Sequence, residues 1–192
     1  MRVALFGGSF NPPHVAHQLV ALHVLETHNV DALWFVPAFV HPFDKPLAPF
    51  ADRFRMCELA AAALGPRVRV SDVEARLGTP SRTLPTARKL IDENPGVSFS
   101  LVIGSDLVSE TASWYGAAEL RQLLPFIVVR RGRRTGGEAP SPGDPLALTM
   151  PALSSTEIRA SLRDGRSVDG VVPKSVLDYI TPRGLYGSRQ SP

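Results

Sequence analysis

The sequence contains little cysteine, no long apolar run and almost no excess of charge of one sign. Its 192 residues include one cysteine, Cys57, which excludes an internal disulfide and a zinc site built from cysteines. No apolar run approaches the roughly 18 residues that a membrane span needs. Lys and Arg number 21 against 18 Asp and Glu, and the net charge of +3 is too small to indicate nucleic-acid binding. We therefore expect a cytoplasmic protein that binds neither membrane nor nucleic acid.

Proline and glycine are abundant by comparison, with 18 and 15 residues. At roughly 150 residues per domain, the length fits a single domain, residues 1–192, in which residues 153–186 form a small C-terminal helical part. A chain of this length can bury a substantial core. The many prolines and glycines predict tightly shaped connections, which are the places where α/β proteins bind their ligands.

Short apolar runs alternate with helical patterns along the chain. Apolar runs predict buried strands at residues 3–6, 32–36, 99–103 and 126–129. Helical spacing predicts helices at 14–27, 52–64, 83–93, 117–124, 154–162 and 174–180, and weaker patterns predict strands at 67–73 and 146–150. Strands that alternate with helices in this way indicate βαβ units and a parallel sheet, so the predicted fold class is α/β.

The segment GGSFNPPHVAH, residues 7–17, follows the first predicted strand and opens the first predicted helix. Glycines allow a backbone to approach a ligand closely, and the N–H groups at a helix start favour a phosphate. His14 and His17 share one face of this helix, where imidazole N–H groups can stabilise growing negative charge. A plain tight turn, solvated histidines and a metal-binding pair are alternatives that the spacing leaves open. The segment matches neither a dinucleotide-binding fingerprint nor a P-loop.

This segment resembles the signature of the HxGH nucleotidyltransferases, and within them that of the bacterial nicotinate mononucleotide adenylyltransferases. Their pattern is GG-[ST]-F-[DN]-P-x-H-x-G-H, and the chain has Ala16 in place of the glycine between the histidines. The resemblance implies a Rossmann-like open parallel sheet with helices on both faces. It also implies that His14 and His17 are catalytic and that Asn11 contacts the second substrate. The residues that would contact ATP here are Gly7, Gly8, Ser9, Phe10, His14 and His17.

Residues 153–159, LSSTEIR, are similar to the family's I-S-S-T-x-I-R motif. A serine at the start of the predicted helix can cap it, and Arg159 lies one turn further, where its forked guanidinium can reach the same anion. On this segment alone, an ordinary helix cap with a surface arginine is the alternative. The resemblance implies that Ser155, Thr156 and Arg159 hold the β- and γ-phosphates of ATP, and that Arg159 is catalytic.

Two further pairs of residues match patterns of the family. Gly104 and Asp106 follow a predicted strand as in the family's G-x-D, which implies contact with the adenosine part of ATP. Trp114 and Tyr115 resemble the family's W-Y pair, which implies that the tryptophan stacks on the pyridine ring of the second substrate. Without the resemblance, a lone tryptophan is better interpreted as a core residue.

Two loop segments carry the remaining candidates. Residues 80–83, PSRT, resemble the family's P-S-Y-T. Thr83 matches the pattern, whereas Arg82 stands in place of the tyrosine. The resemblance implies that both residues contact the pyridine nucleotide. Lys45 ends a segment that resembles the family's P-x-x-x-P-x-x-K. The resemblance implies that Lys45 is a catalytic cation directed at a substrate phosphate, whereas a lysine in a loop is otherwise simply solvated.

The resemblance implies adenylyl transfer from ATP to nicotinate mononucleotide, which yields deamido-NAD and pyrophosphate. Mg²⁺ would be the cofactor, held mainly by ATP phosphates and water, since the sequence shows no carboxylate cluster for it. The alternatives are a related nucleotidyltransferase that acts on nicotinamide mononucleotide or phosphopantetheine, and a non-catalytic nucleotide-binding module. The sequence does not decide between the pyridine acid and its amide, and it leaves homo-oligomer formation open.

Overall fold

A computed structural model describes residues 1–40, 47–78, 81–130, 151 and 153–188. In this part of the chain, five strands form one parallel sheet: β1 Arg2–Gly8, β2 Ala32–Pro37, β3 Val68–Val70, β4 Ser98–Gly104 and β5 Phe126–Val129. Their order across the sheet is β3-β2-β1-β4-β5. The predicted α/β class with an open parallel sheet is confirmed.

The helices alternate with the strands along the chain. Within the described ranges they are α1 Val15–Thr27, α2 Phe50–Ala62, α3 Val73–Leu77, α4 Thr83–Glu93, α5 Ala117–Leu123, α6 Ser155–Arg163 and α7 Lys174–Ile180. Short 3₁₀ segments lie at Ser105–Leu107, Glu110–Ser113, Thr181–Arg183 and Leu185–Gly187. None of these described helices is both long and apolar enough to cross a membrane.

Side chains of β1 point alternately to the two faces of the sheet. Ala4 belongs to a core cluster with residues of α1 and α2, whereas Val3 and Leu5 belong to a second cluster with residues of α3, α4 and α5. All three side chains are buried. A strand that is covered on both faces needs apolar residues at every position, which is why the run VALF shows no polar alternation. Helices therefore lie on both faces of the sheet, as predicted.

The C-terminal helices α6 and α7 pack on α2. Met56 and Ala60 of α2 are fully buried in a third cluster, together with Ile158 of α6 and Val176 of α7. Cys57, on another side of α2, belongs to the core of the sheet. Helix α2 therefore connects the C-terminal helices to the sheet, and its position determines where α6 begins.

Two predictions from the sequence are wrong in detail. The strand expected at 67–73 is limited to β3, and Val73 instead begins α3, where it is fully buried in the second cluster. The loop expected to begin at Gly7 starts later, because Gly7 and Gly8 continue β1 and pair with residues at the end of β2. The strand expected at 146–150 lies outside the described residues.

Arg53 of α2 is buried to 1% exposure and holds together three segments at the carboxyl end of the sheet. Its guanidinium donates to the carbonyl oxygens of Ala48 at 2.9 Å, Ser9 at 2.9 Å and Phe39 at 3.1 Å. Burial lowers the pKa of Arg53, because the charged form loses its hydration. These three bonds compensate for part of that loss, and they give the loops after β1 and β2 a common anchor.

We expect Arg53→Gln to lower the free energy of unfolding by about 3 kcal/mol, because glutamine cannot reach all three buried carbonyl groups. Urea denaturation followed by circular dichroism would measure the change. Arg55→Gln is the matched control, since Arg55 lies two residues away on α2, is exposed and forms a surface ion pair with Glu58. An equal loss in both variants would contradict the anchoring role.

Candidate active site

The candidate site lies at the carboxyl ends of β1 and β4, two neighbours in the middle of the sheet. The chain leaves β1 towards β2 and leaves β4 towards β5, on opposite sides, so a crevice opens between the two connections. A cavity of about 220 Å³ occupies this crevice. Its lining includes Gly7, Gly8, Ser9, Thr83 and Trp114, all of which the sequence predicted as site residues.

A side chain larger than that of glycine would have different consequences at Gly7 and at Gly8. A Cβ added to Gly7 would meet no other protein atom within 4 Å, so it would occupy open space at the cavity. A Cβ on Gly8 would come within 3.2 Å of the Phe10 ring, which folds back beneath the strand end. Larger residues would therefore narrow the cavity at one position and displace Phe10 at the other.

His14 and His17 form a stacked pair at the start of α1, with ring centres 3.8 Å apart. The backbone N–H of His14 donates to Nδ1 of His17 at 3.0 Å. Because a backbone N–H can only donate, Nδ1 of His17 carries no proton, and the proton of the neutral ring is on Nε2. Phe10 holds the His17 ring from another side, edge-on at 4.9 Å. Neither histidine lines the cavity, and the Phe10 ring that contacts His17 also lies against Gly8, which does line it.

The start of α6 contacts the loop before α1, so the two motifs that the resemblance assigns to ATP lie side by side. Ser154 caps α6 by accepting from the N–H of Thr156 at 3.3 Å. The hydroxyl of Ser155 donates to the carbonyl oxygen of Pro12 at 3.0 Å. Arg159 donates through Nη1 to the carbonyl oxygen of Asn11 at 2.8 Å and through Nη2 to Thr156 Oγ1 at 3.2 Å. The structure thus brings residues separated by more than 140 positions into one site.

Asn11 has a structural position in this loop that the sequence did not indicate. Its side chain is buried, and its Oδ1 accepts from the N–H of Ala48 at 3.1 Å and from the hydroxyl of Tyr186 at 2.9 Å. Tyr186 belongs to the C-terminal 3₁₀ segment, so the end of the described chain also supports the loop. Contact of Asn11 with a substrate stays a prediction.

The remaining candidates fall into three groups. Gly104 ends β4, and Asp106 is exposed in the 3₁₀ segment that follows it. Tyr115 is exposed beside Trp114, and the guanidinium of Arg82 lies over its ring. Lys45 lies outside the described residues, so its proximity to the site stays a prediction.

The comparisons with known proteins agree with this geometry. The model of the cytidylyltransferase-like family matches residues 5–161. A probable nicotinate-nucleotide adenylyltransferase of Anaeromyxobacter dehalogenans strain 2CP-C is 48% identical over 187 residues, which cover 96% of each protein. One from Thermus thermophilus is 38% identical and covers 97% of this chain and 100% of its own. The chain belongs to the cytidylyltransferase-like family, among the nicotinate-nucleotide adenylyltransferases.

A solved structure shows the same fold at lower sequence identity. The nicotinic acid mononucleotide adenylyltransferase of Plasmodium falciparum, in complex with NaAD, is 22% identical and covers 98% of both chains with a TM-score of 0.79. This likeness agrees with the open parallel sheet and the helices on both of its faces that the described residues form.

Glu74 lines the cavity, and sequence reasoning missed it. This carboxyl group on α3 is 5% exposed; one oxygen accepts from the hydroxyl of Thr86, and the other has no hydrogen-bond partner among the described residues. Burial raises the pKa of Glu74, while the hydroxyl groups of Ser81 and Thr86 counteract the rise. No sequence signal distinguishes this residue, because a glutamate in a short polar helix is ordinarily solvated.

The raised pKa of Glu74 gives a prediction with a definite sign. The folded state keeps the proton to a higher pH than the unfolded state does, so folding stability falls as pH rises from about 4 towards neutrality. Glu74→Gln removes this dependence, and its stability relative to the parent protein should improve over that range in urea denaturation at several pH values. Glu93→Gln should give the opposite trend at lower pH, because Arg76 lowers the pKa of Glu93 and the parent protein loses this stabilisation as pH falls below about 4. If the difference in free energy of unfolding between Glu74→Gln and the parent protein does not change with pH, burial does not raise the pKa of Glu74.

Proposed function

We propose that the chain transfers the adenylyl group of ATP to nicotinate mononucleotide, which gives deamido-NAD and pyrophosphate. One observation carries this proposal: Ser155 and Arg159 reach the carbonyl groups of Pro12 and Asn11, immediately before the histidine pair. Helix starts and a guanidinium that converge on one place suit a polyphosphate. The names of the bacterial relatives and the NaAD complex of the Plasmodium falciparum protein support the same pair of substrates.

The reaction needs no nucleophile from the protein. A phosphate oxygen of nicotinate mononucleotide forms a bond to the α-phosphorus of ATP, and the bond from that phosphorus to the β-phosphate oxygen breaks. Pyrophosphate leaves with the electron pair. Because the attacking phosphate is already ionised at neutral pH, catalysis consists of positioning and of stabilising charge on the transferred group.

The histidine pair suits the stabilisation of that charge. The hydrogen bond from the backbone N–H of His14 to Nδ1 places the proton of the neutral His17 ring on Nε2, and both stacking and Phe10 fix the orientation of that ring. A donor that is already oriented needs no rearrangement as the charge develops. We assign both histidines to the ATP phosphates and to the oxygens of the transition state.

The triphosphate would extend to the start of α6. Arg159 uses Nη1 and Nη2 for contacts within the protein, but a guanidinium has five N–H groups, so others can bind phosphate. Thr156 adds a hydroxyl group at the same helix start, and Ser155, whose hydroxyl donates to Pro12, adds its backbone N–H. At the other end of ATP, Gly104 and Asp106 would contact the adenosine, next to the strand end of β4.

The pyridine nucleotide would occupy the cavity. Trp114 and Thr83 line it, and the indole offers a flat surface for the pyridine ring. Gly7 and Gly8 line the cavity too, and they lead into the loop that carries the histidines, so the substrate phosphate would approach ATP on this side. Lys45 would add a cation to that phosphate.

Mg²⁺ would enter with ATP as the MgATP substrate. The described residues contain no group of three or more His, Cys, Asp and Glu side chains that could hold a metal, whereas phosphate oxygens and water are ligands that Mg²⁺ prefers. The proposal also includes a single domain over residues 1–192, a cytoplasmic location and no binding of nucleic acid or membrane. A homo-oligomer is compatible with it.

A pyrophosphate-release assay with ATP and Mg²⁺ tests the function directly. Nicotinate mononucleotide, nicotinamide mononucleotide and phosphopantetheine would be offered separately, and the dinucleotide product would be identified by mass. We expect the highest kcat/KM for nicotinate mononucleotide. Turnover of phosphopantetheine alone, or of none of the three, would refute the proposal.

His17→Ala should lower kcat by roughly 10²–10³ in the same assay, which is the range for the loss of one donor to a developing charge. His23→Ala is the matched control on the same helix, and it should change kcat less than twofold. Thermal denaturation of both variants separates catalysis from folding. Full activity of a folded His17→Ala protein would remove this residue from the mechanism.

A further inference from the structure

The hydroxyl of Tyr186 reaches the loop between β1 and α1 from the end of the described chain. It donates to Oδ1 of Asn11 at 2.9 Å, across 175 positions of sequence. The backbone N–H of Ala48 donates to the same oxygen at 3.1 Å. Because a backbone N–H can only donate, this atom of the Asn11 amide is the oxygen, and Tyr186 is the donor in the second bond. The side-chain oxygen of Asn11 therefore joins three separate segments.

The surroundings of the Tyr186 hydroxyl keep it a donor. Burial raises the pKa of Tyr186, although the nearby charges of Arg53 and Arg159 act in the opposite direction. The phenol therefore keeps its proton at neutral pH. The ring of Tyr186 packs against the third core cluster, a contact that a phenylalanine ring would also make. Packing alone thus does not account for the hydroxyl.

Backbone strain lies on both sides of this contact. Among the described residues, Phe10 and Tyr186 are the two that have a positive φ without being glycine, at +44° and +61°. A bulky L-residue rarely adopts such a φ, and it keeps one only where its surroundings fix it. Phe10 precedes Asn11 in the chain, and Tyr186 is hydrogen-bonded to Asn11. Both strained residues therefore adjoin Asn11.

Asn11 also connects Tyr186 to the arginine that is proposed to bind ATP. Its carbonyl oxygen accepts from Nη1 of Arg159 at 2.8 Å, while its side chain accepts from Tyr186. His14 follows only three residues later and begins the histidine pair. A shift of Asn11 would therefore move the acceptor of Arg159 and the start of α1 together. Catalysis by prearranged donors is sensitive to small displacements of this kind.

Helix α6 supports both Tyr186 and Arg159. A Cβ added to Gly187 would come within 3.6 Å of the Arg163 side chain, so the backbone next to Tyr186 passes close to the last turn of α6. Arg159 lies about one turn earlier on the same helix. The two side chains that bind Asn11 from this side therefore share one support.

We propose that Tyr186 is a positioning residue for adenylyl transfer: through Asn11, its hydroxyl holds the acceptor of Arg159 and the start of the histidine pair in the geometry that binds the triphosphate. This inference rests on the proposed function. It makes the C-terminal segment a support of the ATP site without assigning Tyr186 any contact with substrate. The lining of the cavity does not include Tyr186, so loss of its hydroxyl should affect ATP rather than the pyridine nucleotide.

Tyr186→Phe removes the hydroxyl and keeps the ring, so the variant should fold. We expect kcat/KM for ATP to fall about fivefold, which corresponds to the loss of one neutral hydrogen bond. KM for nicotinate mononucleotide should stay within about twofold. An equal rise of KM for both substrates would indicate a general structural role and would overturn the inference.

Tyr179→Phe is the matched control. The Tyr179 hydroxyl donates to Asp52 at 2.8 Å, and its ring packs against the same core cluster as that of Tyr186. This variant also loses one buried end of a hydrogen bond between α2 and the C-terminal residues, and thermal denaturation would compare the two losses of stability. We expect its kcat/KM for ATP to change less than about twofold. Equal losses of kcat/KM for ATP in the two variants would contradict the role of Tyr186.

A double-mutant cycle tests whether Tyr186 acts through Asn11. Asn11→Ala removes the acceptor, so the addition of Tyr186→Phe to this variant should not lower kcat/KM for ATP further. If the two losses multiply, the side chains act independently and the inference is wrong.

Hydrogen exchange of the ligand-free protein provides a readout that needs neither turnover nor a second substitution. Backbone amides of residues 9–17 should exchange faster in Tyr186→Phe than in Tyr179→Phe, because the loop loses one of its anchors. The two possible failures are distinguishable. A parent protein without turnover refutes the proposed function, whereas an active parent protein with equal exchange and equal ATP kinetics in both variants refutes only the role of Tyr186.

Discussion

The loop between β1 and α1 depends on guanidinium groups that bind its backbone carbonyl oxygens. Arg53 donates to Ser9 and Arg159 donates to Asn11, at 2.9 and 2.8 Å. The loop has no ladder of its own to satisfy these carbonyl groups, so the side chains of two helices supply the donors. Both donors also carry positive charge to the place where a triphosphate is proposed to bind. The same contacts therefore fix the shape of the loop and favour an anionic ligand beside it.

Helix α2 makes this arrangement possible, because it contributes to two cores at once. Cys57 packs in the core of the sheet, while Met56 and Ala60 pack against the C-terminal helices. Residues that start α6 then reach the first loop, although they lie more than 140 positions away along the chain. A parallel sheet alone would leave the proposed phosphate site open on that side. The C-terminal helices are thus part of the site as well as part of the fold.

Much of this could be predicted from the sequence, and the exceptions have physical causes. The apolar runs of β1 and β4 indicated the parallel sheet, and the glycines at the ends of these strands indicated where the candidate site would lie. Helix α3 was missed because its five residues are too few to show a helical period. Glu74 was missed because only the packing of α3 on α4 buries it. The contact of Arg82 with Tyr115 joins residues 33 positions apart, and no local pattern encodes such a contact.

The two arginines that bind the first loop show why a buried guanidinium suits an anchor and a partly buried one suits a ligand. Arg53 is buried, and its three carbonyl acceptors occupy one donor on each of its nitrogens. A guanidinium that is buried so fully needs this compensation for its lost hydration, and little of it remains for a substrate. Arg159 is only partly buried, and its bonds to Asn11 and Thr156 restrict its position. Such a cation gives up only part of its hydration when a phosphate arrives, so the proposed triphosphate would gain a partner at little cost to the stability of the empty site.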